Sequence, residues 1–231
     1  MTEKTLIKSF SIVSSWTFAS RILGFLRDIF LAFFLGSGAV AQAFLVAFTL
    51  PNMLRKIFAE GSFNKVFIPM FVDLKNNPRE ASNFASIIFI ILLALLTIIS
   101  ALGVLFMPYL IKFLAFGFLT DNRFDLAVIY GQILFPYILL ISLTQLFNSI
   151  LNSLNLYHMS TATQCILNLA LISSLFLSSF FEGNFGINLC FSVIVAGIIN
   201  LILVFRSCQI NGITINFLNL NYNKSSLDRS K

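Results

Sequence analysis

Charge is scarce in this chain of 231 residues: Asp, Glu, Lys and Arg make up 10% of it, against about a quarter in soluble proteins, while 58% is hydrophobic. That balance excludes a water-soluble domain, a disordered chain and a coiled coil, and a mean hydropathy of +0.92 assigns the chain to a bilayer. Histidine occurs once, as His158 in a short polar turn, where a bland interfacial role is expected. Three cysteines, Cys165, Cys190 and Cys208, lack C-x-x-C spacing and sit in or beside apolar runs, which speaks against a disulfide scaffold or a zinc site. The sequence also lacks a catalytic triad, a metal-ligand cluster, a phosphate-cradling glycine loop and a Walker pattern, so neither an enzyme nor a bound cofactor is expected. The formal charge of +6 would suggest nucleic acid in a soluble protein; in a bilayer its distribution among loops matters instead.

What is present in abundance is length of apolar run. A helix rises ~1.5 Å per residue and the hydrocarbon core is ~30 Å thick, so about 20 apolar residues cross it once. Residues 83–111 carry no charge and are expected to cross. Residues 126–181 are also uncharged but too long for one crossing, and the polar break from Asn152 through His158 and Ser160 divides them into spans at about 126–154 and 160–181. Residues 183–205 form another span, between Glu182 and Arg206. The first 72 residues are interrupted by charge. Residues 10–35 read as one helix stopped by Gly36-Ser37-Gly38, and 39–72 as a second, bent at Pro51, with Gly61 the place for a break. The expected fold is therefore all-α: a polytopic membrane protein with a six-helix lobe over residues 1–206 and a polar tail over 207–231. Lys4, Lys8, Lys75, Arg79, Arg206, Lys224, Arg229 and Lys231 fall on one side, against Lys112 and Arg123 on the other, so both termini are expected in the cytoplasm. Lys4 and Lys8 precede an apolar stretch with no small-residue cleavage site, so no signal-peptide cleavage is expected.

Function is expected where charge enters the membrane, since an arginine at mid-bilayer costs at least ~2.5 kcal/mol. Arg21 lies ~16 Å into the first helix, near the midplane, and Arg27 and Asp28 lie deeper. At about 100° per residue, Ser20 eclipses Arg27 and Arg21 eclipses Asp28, with Gly24 between the latter two, so one broad polar face admits another backbone or a ligand. The second helix adds Asn52, Arg55, Lys56 and Glu60 after Pro51. Lys56 and Glu60 are i,i+4 partners, whereas Arg55 has no acid at i±4. Internal salt bridges are one reading of these charges. With three arginines against Asp28 and Glu60, an anionic ligand in a wet cavity is the other, and the guanidinium fork suits phosphate oxygens. Gln132, Asn148, Gln164, Asn168 and Asn200 fit either a cavity lining or interhelical hydrogen bonding.

The strings Ser20-Arg-Ile-Leu-Gly-Phe-Leu-Arg-Asp28, Ala47-Phe-Thr-Leu-Pro-Asn-Met-Leu-Arg-Lys-Ile-Phe-Ala-Glu-Gly-Ser-Phe63, Phe135-Pro-Tyr-Ile-Leu-Leu-Ile-Ser142 and Ile150-Leu-Asn152 resemble those of the MurJ (MviN) family of lipid II flippases. The resemblance implies a flippase of the bacterial inner membrane that moves lipid II, the pyrophosphate-linked precursor of peptidoglycan and hence of cell-wall biogenesis and cell shape. Transport would proceed by alternating access, driven by membrane potential or ion gradients. It further implies that Ser20, Arg21, Arg27, Asn52 and Arg55 bind substrate, with Asp28 and Glu60 as gating or pairing acids. Where many members carry Asp-Ala-Phe, this chain has Gln42-Ala-Phe, which weakens a periplasmic gate there. The family fold resembles two six-helix lobes plus two extra helices, so this chain corresponds to the first lobe and is expected to be inactive without the second half or a second copy. Competing expectations are a drug or polysaccharide-lipid exporter of the same superfamily, a membrane enzyme on lipid phosphate, and a non-transporting assembly subunit.

Overall fold

The structure is a computed structural model that describes residues 3–59, 62–74, 77–154, 156, 158–181 and 183–215; the side chains of 3–13, 54–59, 62–64 and 158–162 lie outside that description. All regular structure among the described residues is helical: α1 (Glu3–Leu35), α2 (Ala39–Ala59), α3 (Ser62–Leu74), α4 (Pro78–Leu105), α5 (Met107–Leu114), a 3-10 turn (Phe116–Phe118), α6 (Arg123–Leu134), α7 (Tyr137–Ser153), α8 (His158–Phe180) and α9 (Phe185–Ile210).

Local chemistry explains most of the boundaries. Gly36 takes φ +57°, a left-handed cap in which its N–H donates to Ala32 O at 3.0 Å and ends α1. Pro78 opens α4, where a missing N–H costs nothing, and Glu80 in the first turn suits the positive helix end. Asn184 caps α9, its side-chain oxygen accepting from the Ile187 N–H at 3.2 Å.

The sequence expectations and the structure differ in several helix bounds. The helix expected through Ile111 ends at Leu105; Phe106 leaves helical geometry at φ −93°, ψ 13°, and Pro108, which has no N–H to give, stands in the first turn of α5. The run expected at 126–154 is two helices, because Pro136 interrupts the ladder and Ile138 and Leu139 turn to the nearer carbonyls of Phe135 and Pro136, both at 3.1 Å. Residues 39–72 are divided between α2 and α3, and α9 continues through Arg206 to Ile210 into the expected tail, whose residues 216–231 lie outside the described residues. Among the described residues, four helical stretches are long and apolar enough to cross a membrane: Pro78–Leu105, Arg123–Ser153 through α6 and α7, Thr163–Phe180 and Phe185–Ile210. Ala39–Met53 is a shorter apolar helix. Arg21, Arg27 and Asp28 make α1 the charged exception.

The helices assemble around α7, which is buried along most of its length and packs on α9, α2, α4 and α3. Several of its buried hydroxyls are answered within the helix: Thr144 donates to Leu140 O at 2.8 Å and Ser149 to Gln145 O at 2.7 Å, whereas Ser142 Oγ has no partner among the described residues. Lipid tails are as apolar as leucine, so close packing rather than escape from water must hold such helices together. Glycines permit it. A Cβ on Gly186 of α9 would fall 2.0 Å from the Tyr130 hydroxyl of α6, and one on Gly103 of α4 would fall 1.9 Å from the Phe135 ring. One apolar cluster joins Phe44, Met107, Tyr130, Tyr137, Leu171 and Val193; a second joins Phe67, Phe71, Phe147, Ile150 and Val204. By contrast α1 leans almost entirely on α8.

Candidate functional site

The polar face of α1 divides into two edges. Ser20, Gly24 and Arg27 recur at the three- and four-residue steps that keep side chains on one side of a helix, and this edge is pressed against α8. Ser20 is buried, and its hydroxyl donates to Gln164 Oε1 at 3.4 Å. Asn168, one turn further along α8, works with both ends of its amide: Nδ2 donates to the Ser20 carbonyl at 3.2 Å, and Oδ1 accepts from Arg27 Nη1 at 3.0 Å. A Cβ on Gly24 would meet Asn168 Nδ2 at 3.6 Å, so the approach that Gly24 permits is that of α8 and not of a ligand.

Arg27 also donates from Nε and Nη2 to the single oxygen Asp28 Oδ1, at 3.0 and 2.8 Å. Of the five N–H groups on a guanidinium, three are thereby engaged and two remain on the terminal nitrogens, enough to hold one oxyanion. The Arg27 side chain is 24% exposed and Asp28 63% exposed, so the ion pair lies at the rim of the seam.

The second edge carries Arg21, about 120° round the helix from Arg27. Arg21 is exposed and has no carboxylate or hydrogen-bond partner among the described residues. The salt-bridge reading thus fits Arg27 with Asp28, and among the described residues it finds no partner for Arg21. The two edges together hold two guanidinium groups against one carboxylate, a positive excess in which the fixed charges cannot be discharged by pH.

Asn52 lies half-buried on α2, one residue after the buried Pro51. Arg55 and Lys56 are placed on α2 by their backbone, but their side chains, like all of Glu60, lie outside the described residues. Sequence reasoning left Gln164 and Asn168 undecided between cavity and interhelical bonding, and the structure decides for the bonding. It missed a second cluster at the other end of α2. There Arg123, at the start of α6, pairs with Asp121 through Nη2 and donates from Nε at 2.7 Å. Arg123 Nη1 donates to Gln42 Oε1 at 2.7 Å, and the guanidinium lies over the Phe118 ring at 4.6 Å. Gln42 Nε2 in turn donates to Ser37 O at 2.8 Å. The hydrogen bonds from the Arg123 side chain, first, and from its backbone N–H hold the Asp121 carboxyl below the usual carboxylate range. The only local signal for this cluster was the Asp121-x-Arg123 spacing.

Comparison with known proteins adds to this geometry. The sequence profile of a family described as Lipid II flippase MurJ matches residues 31–226, a stretch that begins just after the Ser20–Asp28 motif. A probable lipid II flippase MurJ of Rhizobium tropici is 36% identical over 218 residues, which are 91% of this chain and 41% of that protein. One from Buchnera aphidicola subsp. Acyrthosiphon pisum is 39% identical over 201 residues, 85% of this chain and 39% of the relative. The chain therefore spans about two fifths of the length of the curated relatives it matches. Among solved structures, a lipid II flippase MurJ in an inward closed conformation superposes with a TM-score of 0.74 at 27% identity, covering 94% of this chain and 45% of that one. A transporter of the MOP superfamily from Pyrococcus furiosus superposes with a TM-score of 0.73 at 13% identity, which speaks for the fold alone.

Proposed function

The chain belongs to the MurJ family of lipid II flippases, and from that premise we propose that it forms one wall of a cationic cavity for the pyrophosphate of a polyprenyl-linked peptidoglycan precursor in the bacterial inner membrane. The observation that carries the proposal is Arg21, a guanidinium on a membrane helix with no counter-charge among the described residues, beside an Arg27 whose two spare N–H groups are already aimed by Asp28 and Asn168. A diphosphate offers what both lack: oxygens of high charge density, bound bidentately by guanidinium. Asn52 and Arg55 complete the proposed set, with Ser20 holding α1 against α8 behind it and Asp28 and Glu60 as pairing acids that exchange partners as the cavity opens and closes. A cation exporter would call for an excess of acids on this face, and the excess is basic.

Six crossings, with α2 and α3 together as the second, put both ends of the lobe in the cytoplasm by the distribution of basic loops. Alternating access needs an opposing wall around the site. Since the chain spans about two fifths of its relatives, that wall comes from residues outside this sequence or from a second copy.

The experiment is complementation in cells depleted of their own flippase. This chain is supplied alone, and then with the remaining part of a relative as a separate chain. Growth restored only in the second case, and lost again with Arg21→Ala, supports the proposal. Growth with the chain alone, or with Arg21→Ala unchanged in the paired case, sinks it.

A further inference from the structure

The segment between α4 and α6 has a composition and an exposure that neither a crossing helix nor a water-exposed loop explains. From Pro78 to Leu105, α4 has 28 residues and is ~42 Å long, already the full thickness of a bilayer with its headgroup regions. Along it Ile91, Leu95, Ile98, Leu102 and Leu105 are exposed at alternating four- and three-residue steps, a single outward row of lipid-facing side chains. α5 begins where that length is used up.

Two sides of α5 differ sharply. Met107 and Ile111, one turn apart, are fully buried, and Met107 enters a notch on α6 where a Cβ on Gly131 would fall 2.6 Å from its sulfur. The opposite side carries Tyr109 and Phe113, 70% and 89% exposed, and the following 3-10 turn adds Phe116 at 73%. Phe106, also exposed, joins this face to the row on α4, so one apolar surface runs without a break from the flank of α4 onto α5. Lys112 is exposed beside Phe113. Further exposed phenylalanines, Phe33, Phe180 and Phe181, mark the ends of α1 and α8, at the same end of the molecule.

We propose that α5 and the Phe116–Phe118 turn form an in-plane anchor for the lipid interface, with Tyr109, Phe113 and Phe116 seated among the upper acyl chains and Lys112 reaching the lipid phosphates. The occupant is lipid because the patch continues a lipid-facing row and because it pairs aromatic bodies with a hydroxyl and an ammonium, the composition of an interfacial helix. The anchor is pinned to the protein on its other side by Met107 and, through Phe118 beneath Arg123, by the bond from Arg123 to Gln42 at the start of α2. It fixes the depth at which α2 enters the membrane. This inference does not depend on what the cationic face binds.

Depth-dependent quenching tests it on the whole chain in lipid nanodiscs. Trp16→Phe removes the single native tryptophan, and a new one is placed by Phe113→Trp, with Leu95→Trp as the deep reference. At position 113, bromines near the headgroup should quench roughly twofold more than bromines near the chain end, aqueous iodide should quench little, and position 95 should show the reverse bromine order. Tyr109→Trp, one turn away on the same face, should report the same shallow depth, so a distortion peculiar to one variant is detected. Strong iodide quenching at both positions would place the segment in water, deep quenching equal to position 95 would make it part of a crossing, and insensitivity to every quencher would mean that protein covers it. Each of these three results overturns the proposal.

Discussion

Arg27 and Arg123 are built from the same parts and put to different uses. Each is an arginine with an aspartate beside it in sequence, Asp28 or Asp121, and a side-chain amide from a distant helix, Asn168 or Gln42, as acceptor. At Arg123 the arrangement is finished: the carboxylate also takes a backbone N–H at 2.8 Å, and an aromatic ring covers the guanidinium. At Arg27 it is unfinished, because Arg21 adds a charge that the local acid cannot also neutralise. The lesson is that an arginine on an apolar helix is informative through its surplus, after local partners are counted.

The largest effect that would break this comparison lies in Arg21. In the complete transporter, Arg21→Ala should lower lipid flipping about 10- to 100-fold, the loss of charge-assisted bonds of ~1.5–3 kcal/mol, with the thermal unfolding midpoint unchanged. Arg21→Lys should also fall short, since a point charge replaces the fork; equal activity would make charge balance the only requirement. Next comes Asn168. Asn168→Leu strips the acceptor from Arg27 and the donor from Ser20, and should destabilise the α1–α8 seam by about 1–3 kcal/mol, read by denaturant unfolding in micelles. Asn168→Asp gives Arg27 a second carboxylate but loses the donor to the Ser20 carbonyl, so it should destabilise the seam less than Leu while still reducing transport. Activity retained there would show that no surplus is needed.

Smaller effects are expected at Arg123. Arg123→Ala should loosen the α2 end and lower the unfolding midpoint slightly, less than Asn168→Leu, and leave anion binding alone, because an exposed pair contributes little. The smallest is the pH dependence of that cluster. Asp121 has its pKa depressed in the folded protein, so its stabilisation is complete at neutral pH and fades only as acid carries the pH through that lowered value. The midpoint should therefore drop in strong acid, and Asp121→Asn should remove the difference between variants with and without Arg123.

Much of the fold was legible in the chain. The uncharged runs at 83–111, 126–181 and 183–205 overlap the helices long enough to cross, and Gly36 and the polar break before His158 divide helices as their backbone chemistry demands, whereas the division at Pro136 was not anticipated. The break at Phe106 was hidden, because Pro108 sits in an unbroken apolar run and only the geometry one residue beyond α4 reveals that the helix ends. At the candidate site the residue types were legible but their orientation was not. Gly24 read as a gap for another backbone or a ligand on the side of Arg21, and it faces the Asn168 side chain of α8.

Which segments are apolar enough to cross a bilayer, and that arginines interrupt the first helix, was determined by sequence alone, since transfer from water to hydrocarbon is summed residue by residue along a helix whose rise is constant. What each arginine meets was decided by tertiary structure. The bond from Arg27 to Asn168 joins residues 141 positions apart, and it exists only because α1 is rotated so that Ser20, Gly24 and Arg27 face α8. That rotation is set by the packing of whole helices against one another, and no stretch of either helix encodes it by itself.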